Sequence, residues 1–156
     1  MSTEMFPYMN EINVYDHFLT HKGCKQYALM LPKKKTGFLA TKLLITDDPI
    51  VDGVKNFIKK KKGLDLEIDT AEICNWHKDS ESELHIHDSR GRGNTKYNSI
   101  IYLNKKFTGG EFYTSDNQII EPEVGMLVHF DGSKIWHGIK KILDNDRHSI
   151  MFFWKR

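Results

Sequence analysis

Apolar and polar positions in this chain change period near residue 63, from one turn of a helix to the alternation of a strand. Ile50, Val51, Val54, Phe57 and Ile58 form a stripe of helical spacing. Asp47-Asp48-Pro49 stands before it, and an acidic cap with proline in the first turn is a start signal. Lys59 to Lys62 fill the last turn, where cations meet the negative end of the helix dipole, and Gly63 can close it. Upstream, residues 1–46 are mixed. The apolar runs QYALML (26–31) and KLLIT (42–46), with the basic turn PKKKTG (32–37) between them, suggest strands or a helix–strand unit.

From residue 64 onward the segments are short and alternating. AEICNW (71–76), ELHIHD (83–88), YNSIIYL (97–103), GEFYT (110–114), NQIIE (117–121), VGMLVHF (124–130), KIWHGIK (134–140) and RHSIMFFW (147–154) are expected to be eight strands. The clusters HKDSES, SRGRGNT, NKKFTG, SDN, DGS and LDND separate them as turns. Many short strands at regular spacing indicate an all-β sandwich or barrel. No repeat or linker divides the chain, so residues 1–156 are expected to form one domain, with 1–70 flanking a β core at 71–156.

Composition narrows the function classes. The chain has 156 residues, enough for one buried core, and its 39% hydrophobic and 28% charged content argues against disorder or a fibre. A formal charge of +2 is too small to imply nucleic acid, and the one dense lysine run is explained as a helix end. Cys24 and Cys74 are too few for a disulfide framework and lack partners at zinc-ligand spacing, which points to a reducing compartment. No apolar stretch approaches the ~20 residues of a membrane span. The first residues lack the layout of a signal peptide. A cytoplasmic protein is expected.

The candidate chemistry lies in the histidines and the last strand. Six of the eight histidines, His77, His85, His87, His129, His137 and His148, fall between residues 77 and 148, and at least half should be surface or core residues with no ligand role. Alternation in RHSIMFFW puts Arg147, Ser149, Met151 and Phe153 on one side. A guanidinium fork beside a hydroxyl on an inward face suits a carboxylate. The alternative is that Arg147 faces solvent and pairs with Asp144 or Asp146. His137 lies ten residues before Arg147, with other histidines clustered upstream. Three protein ligands with open positions are what an iron centre needs to take a bidentate cosubstrate and dioxygen.

The stretch from about residue 70 to the end resembles the prolyl 4-hydroxylase-like branch of the Fe(II)/2-oxoglutarate-dependent dioxygenases, the small phage and bacterial type. AEICNW, YNSIIYLN, Gly109-Gly110-Glu111-Phe112, EPEVGMLVHF, Trp136-His137-Gly138 and Arg147 carry the likeness, in order and spacing. It implies a mostly β fold with flanking helices around an eight-stranded double-stranded β-helix, the jelly-roll or cupin-like architecture. It also implies Fe(II) as metal, 2-oxoglutarate as cosubstrate and dioxygen as oxidant. His137 would be the distal metal ligand. Arg147 would bind the far carboxylate of 2-oxoglutarate, with Tyr102 as a second donor and Ser149 as a weaker addition.

The proximal ligands depart from the family's His-x-Asp. His77-Lys78-Asp79 matches it literally but follows the first core strand, in what reads as a hairpin turn. ELHIHD stands where the family's motif should be, which favours His85; His87, two residues on, shares its face. His87 is the expected third ligand, with Asp88 or Asp79 as alternatives. A site of three neutral histidines would hold Fe(II) less firmly than one with a carboxylate.

Such an enzyme decarboxylates 2-oxoglutarate to succinate and hydroxylates a substrate carbon, so no protein nucleophile is required. A prolyl residue of a peptide or protein is the default substrate, with a small molecule as the alternative. The basic loop SRGRGNTK (89–96) would serve as a lid. Two rival readings are a non-catalytic binding or sensor module of the same fold and a cupin-like metalloenzyme that does not use 2-oxoglutarate.

Overall fold

In the computed structural model, which describes residues 11–32, 40–88 and 93–155, the clearest local signal folds as its residues require. Helix α2 (Pro49–Lys62) is capped by Asp48, whose carboxylate accepts the Ile50 N–H at 2.9 Å, and ends at Gly63 in the left-handed region with φ 69°. Its stripe buries Ile50, Val51, Val54 and Ile58. Asp48 also accepts the Tyr27 hydroxyl at 2.7 Å, tying α2 to helix α1 (His21–Ala28). Asp48→Ala should therefore destabilise the protein by about 1–2 kcal/mol in urea denaturation, with metal affinity unchanged, because a cap and a side-chain bond are lost together.

Among the described residues, ten strands form two antiparallel sheets. They are β1 (Ile12–Tyr15), β2 (Ala40–Leu44), β3 (Ile68–Trp76), β4 (Ser82–His85), β5 (Thr95–Tyr102), β6 (Phe112–Thr114), β7 (Ile119–Ile120), β8 (Leu127–Asp131), β9 (His137–Ile139) and β10 (Arg147–Lys155). The larger sheet has the order β1-β8-β5-β10-β3-β2 and the smaller β4-β9-β6-β7. All eight expected core strands are present, and β1 and β2 extend the larger sheet at its two edges. This is a double-stranded β-helix with flanking helices. The turn PKKKTG lies outside the described residues apart from Pro32, as do residues 89–92 of SRGRGNTK.

Alternation divides the larger sheet into two faces. Ala71, Ile73, Ile101, Leu127, Ile150, Phe152 and Trp154 pack with the apolar stripe of α2 into one core. The other face looks toward the smaller sheet, where Ile100, Tyr102, Val128 and Phe130 pack with Phe112. Register sets the rows of this inner face. Lys42 is opposite Cys74, Cys74 opposite Ser149, and Ser149 opposite Tyr102; one row along, Glu72 is opposite Met151 and Met151 opposite Ile100. Both cysteines are free and buried. Among the described residues no helix is long and apolar enough to cross a membrane.

Candidate metal centre

Register brings two histidines face to face, because His85 on β4 pairs directly with His137 on β9. Strand β4 ends at His85, shorter than the expected 83–88. His87 thus reaches the same place from the segment beyond it, where its N–H donates to the Gly132 carbonyl at 2.8 Å. Gly132 permits this approach: a Cβ there would stand 2.0 Å from Asn98 Oδ1 and 2.9 Å from His87 Nδ1. One ligand atom from each of His85, His87 and His137 lies within 4.8 Å of the others, near enough for one ion to take all three. Asp88, Asp79 and His77 are not in this group.

The ring nitrogens are prepared for a cation. His137 Nδ1 donates to the Ile135 carbonyl at 2.7 Å and His85 Nδ1 to the Glu83 carbonyl at 2.8 Å. A carbonyl only accepts, so each Nδ1 carries the proton and each Nε2 keeps its lone pair. His137 Nε2 is buried and has no hydrogen-bond partner among the described residues. Burial pushes the His137 imidazole down to about 3, helped by the neighbouring His85 and His87 and opposed by the Ile135 carbonyl, so the ring is neutral. Phe112 stacks on it at 5.7 Å and Phe130 meets it edge-on at 4.7 Å, fixing its plane.

Arg147 and Tyr102 form a second set of unanswered polar groups. Arg147 is 1% exposed, its guanidinium carbon 4.9 Å from the Tyr102 ring centroid, and its Nη1 donates to Ser149 Oγ at 3.5 Å. Arg147 Nε and Nη2 and Tyr102 Oη are buried with no partner among the described residues. Neither nearby acid answers them. Asp146 accepts the Lys78 N–H at 2.9 Å and lies 3.7 Å from His77 Nδ1, while Asp144 accepts the Thr108 N–H at 2.6 Å. A buried guanidinium with two nitrogens unanswered and no carboxylate paired with it among the described residues is costly alone and well matched to a carboxylate. The glycine pair of the GGEF segment makes room: a Cβ on Gly110, at φ 70°, would stand 3.2 Å from Arg147 Cδ.

Other histidines have structural partners. His77 Nε2 bonds Thr41 Oγ1 at 3.1 Å. The Trp154 indole donates to Ser99 Oγ at 2.9 Å, and Ser99 bonds His129 Nδ1 at 2.7 Å, where burial pushes the imidazole down to about 4.

The three clustered histidines line a cavity of about 470 Å³, with Trp76, Met151 and Phe153 among its apolar walls. Lys42, Glu72 and Cys74 also line it. These three escape a search for motifs, and only strand alternation along AEICNW could have flagged Glu72 and Cys74 as facing the same way.

The family model described as "2OG-Fe(II) oxygenase superfamily" matches residues 69–155. No curated protein sequence matches the chain. Among solved structures, the viral collagen prolyl hydroxylase of Paramecium Bursaria Chlorella virus-1, in its 2OG complex, is similar with a TM-score of 0.75. That pair is 15% identical over 92% of this chain and 94% of that one. A Pseudomonas putida prolyl-4-hydroxylase gives 0.70 at 16% identity over 99% and 97%. A Trichoplax adhaerens prolyl hydroxylase, in complex with a hypoxia inducible factor peptide fragment, gives 0.71 at 14% over 97% and 86%. At these identities the likeness is one of fold.

Proposed function

The chain belongs to the 2OG-Fe(II) oxygenase superfamily, and from that premise we propose that it hydroxylates a prolyl residue of a peptide or protein at an iron held by His85, His87 and His137. Its cofactors are Fe(II), 2-oxoglutarate and dioxygen, which together supply an oxidant able to hydroxylate an unactivated C–H bond as 2-oxoglutarate becomes succinate and carbon dioxide. The observation that carries the reading is the convergence of three imidazoles in one cavity wall. The reading takes residues 1–156 as one domain and the cytoplasm as its setting.

Each group has a task that follows from its surroundings. The carbonyls of Glu83 and Ile135 hold His85 and His137 in the tautomer that offers Nε2 to the metal. Arg147 and Tyr102 would bind the far carboxylate of 2-oxoglutarate, with Ser149 steadying the guanidinium. Phe112, Phe130 and Phe153 keep water from the imidazoles of His87 and His137. Trp76, Ile139 and Met151 give the cavity an apolar wall suited to a pyrrolidine ring, in keeping with the prolyl substrates named for the similar folds.

The test is anaerobic addition of Fe(II) and 2-oxoglutarate. A visible charge-transfer band, and succinate on aeration with a prolyl peptide, are expected; neither appearing overturns the reading. His87 makes a separate prediction. Three neutral ligands leave the charge of the ion uncompensated until the 2-oxoglutarate dianion arrives. Metal titrations should therefore show cosubstrate and metal strengthening one another. His87→Asp is expected to tighten binding of metal alone by at least about ten-fold and to shrink that coupling, because the carboxylate supplies the missing charge. His87→Ala should weaken metal binding, and an unchanged affinity there would remove His87 from the set.

A further inference from the structure

Among the described residues, the cavity that holds the histidines has one acid in its wall, Glu72. Its neighbours on the inner face are Met151 across β10 and Cys74 two residues on, and Trp76, Ile100 and Phe153 line the same cavity. The residue is only 6% exposed. Carboxylates are rarely buried without a charged partner. Here Oε1 has one: Lys42 Nζ on edge strand β2 lies 3.3 Å away, and the Cys74 thiol approaches the same oxygen at 3.8 Å. Oε2 has no hydrogen bond among the described residues, and it is not among the sealed, unpartnered atoms that include those of Arg147 and Tyr102. It is therefore an acceptor left open on the cavity side.

We propose that Glu72 is a specificity-determining residue that receives a protonated nitrogen of the substrate, a lysyl or arginyl side chain next to the residue to be hydroxylated. This rests on the hydroxylase reading above. The Lys42 side chain is 47% exposed while that of Glu72 is 8% exposed, so the lysine stands at the mouth and the carboxylate within. An incoming ammonium or guanidinium can bond Oε2, or replace Lys42 as the latter swings into water. Either way the buried carboxylate keeps a cation beside it, and the penalty of an unpaired buried charge does not arise. A substrate carboxylate at the same spot would meet a like charge. A neutral side chain would leave Oε2 without a partner once water is displaced.

The experiment compares short acetylated, amidated peptides, Ala-Pro-Lys-Ala and Ala-Lys-Pro-Ala, with the same peptides carrying glutamine or glutamate for lysine. Binding is measured calorimetrically to the full chain loaded with Mn(II) and 2-oxoglutarate. In at least one order the lysine peptide should bind ten-fold or more tightly than its glutamine form, and the glutamate form weakest. Glu72→Gln should reduce the lysine-to-glutamine ratio to near one, and Lys42→Met, which removes the internal competitor, should increase it. No lysine preference in either order, or a preference that survives Glu72→Gln, overturns the proposal. So does loss of 2-oxoglutarate binding in Glu72→Gln, which would make the residue structural. Failure of the unaltered chain to bind 2-oxoglutarate at all strikes instead at the hydroxylase reading.

Discussion

His137→Ala is expected to leave a folded protein that binds Fe(II) at least about a hundred-fold more weakly and forms no detectable succinate. Four-ligand protein metal sites are worth about 10–16 kcal/mol, or roughly 3 kcal/mol for each ligand, and each 1.4 kcal/mol is ten-fold. His137 carries more than its share because its position is the most constrained. It sits opposite His85 in the strand register, its Nδ1 is held by the Ile135 carbonyl, and two phenylalanine rings fix its plane. The substitution also removes a buried nitrogen that has no partner among the described residues, which offsets part of the lost packing. Calorimetry with Mn(II) and circular dichroism of the same sample separate the two effects. Retained metal affinity in a folded variant would shift the metal off this strand.

Arg147→Met should move binding and stability in opposite directions. Truncating one partner of a buried, hydrogen-bonded charge pair costs about 2–5 kcal/mol, so 2-oxoglutarate affinity should fall on the order of a hundred-fold or more. Binding of metal alone should not change, since Arg147 is not among the clustered imidazoles. The protein without cosubstrate should be as stable or more stable. Arg147 is 1% exposed, with two nitrogens unpartnered among the described residues and the Ser149 hydroxyl at 3.5 Å and the Tyr102 ring at 4.9 Å as its compensation. Replacing such a buried charge with an apolar side chain of similar volume is often stabilising. Thermal melts with and without 2-oxoglutarate read both effects: the variant should melt no lower than the parent without the cosubstrate and gain less from it. A fall of less than ten-fold in affinity would take the cosubstrate carboxylate away from Arg147. It would also revive the reading of a cupin-like enzyme that does not use 2-oxoglutarate.

Helix α2 and the last strand show where local pattern suffices. The cap at Asp48, the proline after it and the left-handed Gly63 are decided within a few residues, and they define the helix from sequence. Alternation in RHSIMFFW likewise puts Arg147, Ser149, Met151 and Phe153 on one face, because side chains on a strand have a period of two wherever the strand lies. The family likeness rests on such local runs, and the superfamily match at 69–155 agrees with it.

The metal cluster and the Glu72–Lys42 pair belong to a different level. His85 and His137 are neighbours only because β4 pairs with β9 in one register, and His87 joins them after its strand has ended, beside a glycine 45 positions later. The literal His-x-Asp at residues 77–79 is drawn elsewhere, with Thr41 holding the His77 ring and Asp146 beside it. Lys42 reaches Glu72 across an edge strand that the sequence alone leaves as one of several options. Hydrophobic period and capping are short-range, so the chain by itself determined helix α2, the eight core strands, the inward face of the last one and its family, while the elements of residues 1–46 stayed open. Which histidines meet, which stay structural and which charge enters the cavity depend on contacts between residues tens of positions apart. Those contacts exist only when the two sheets close on one another.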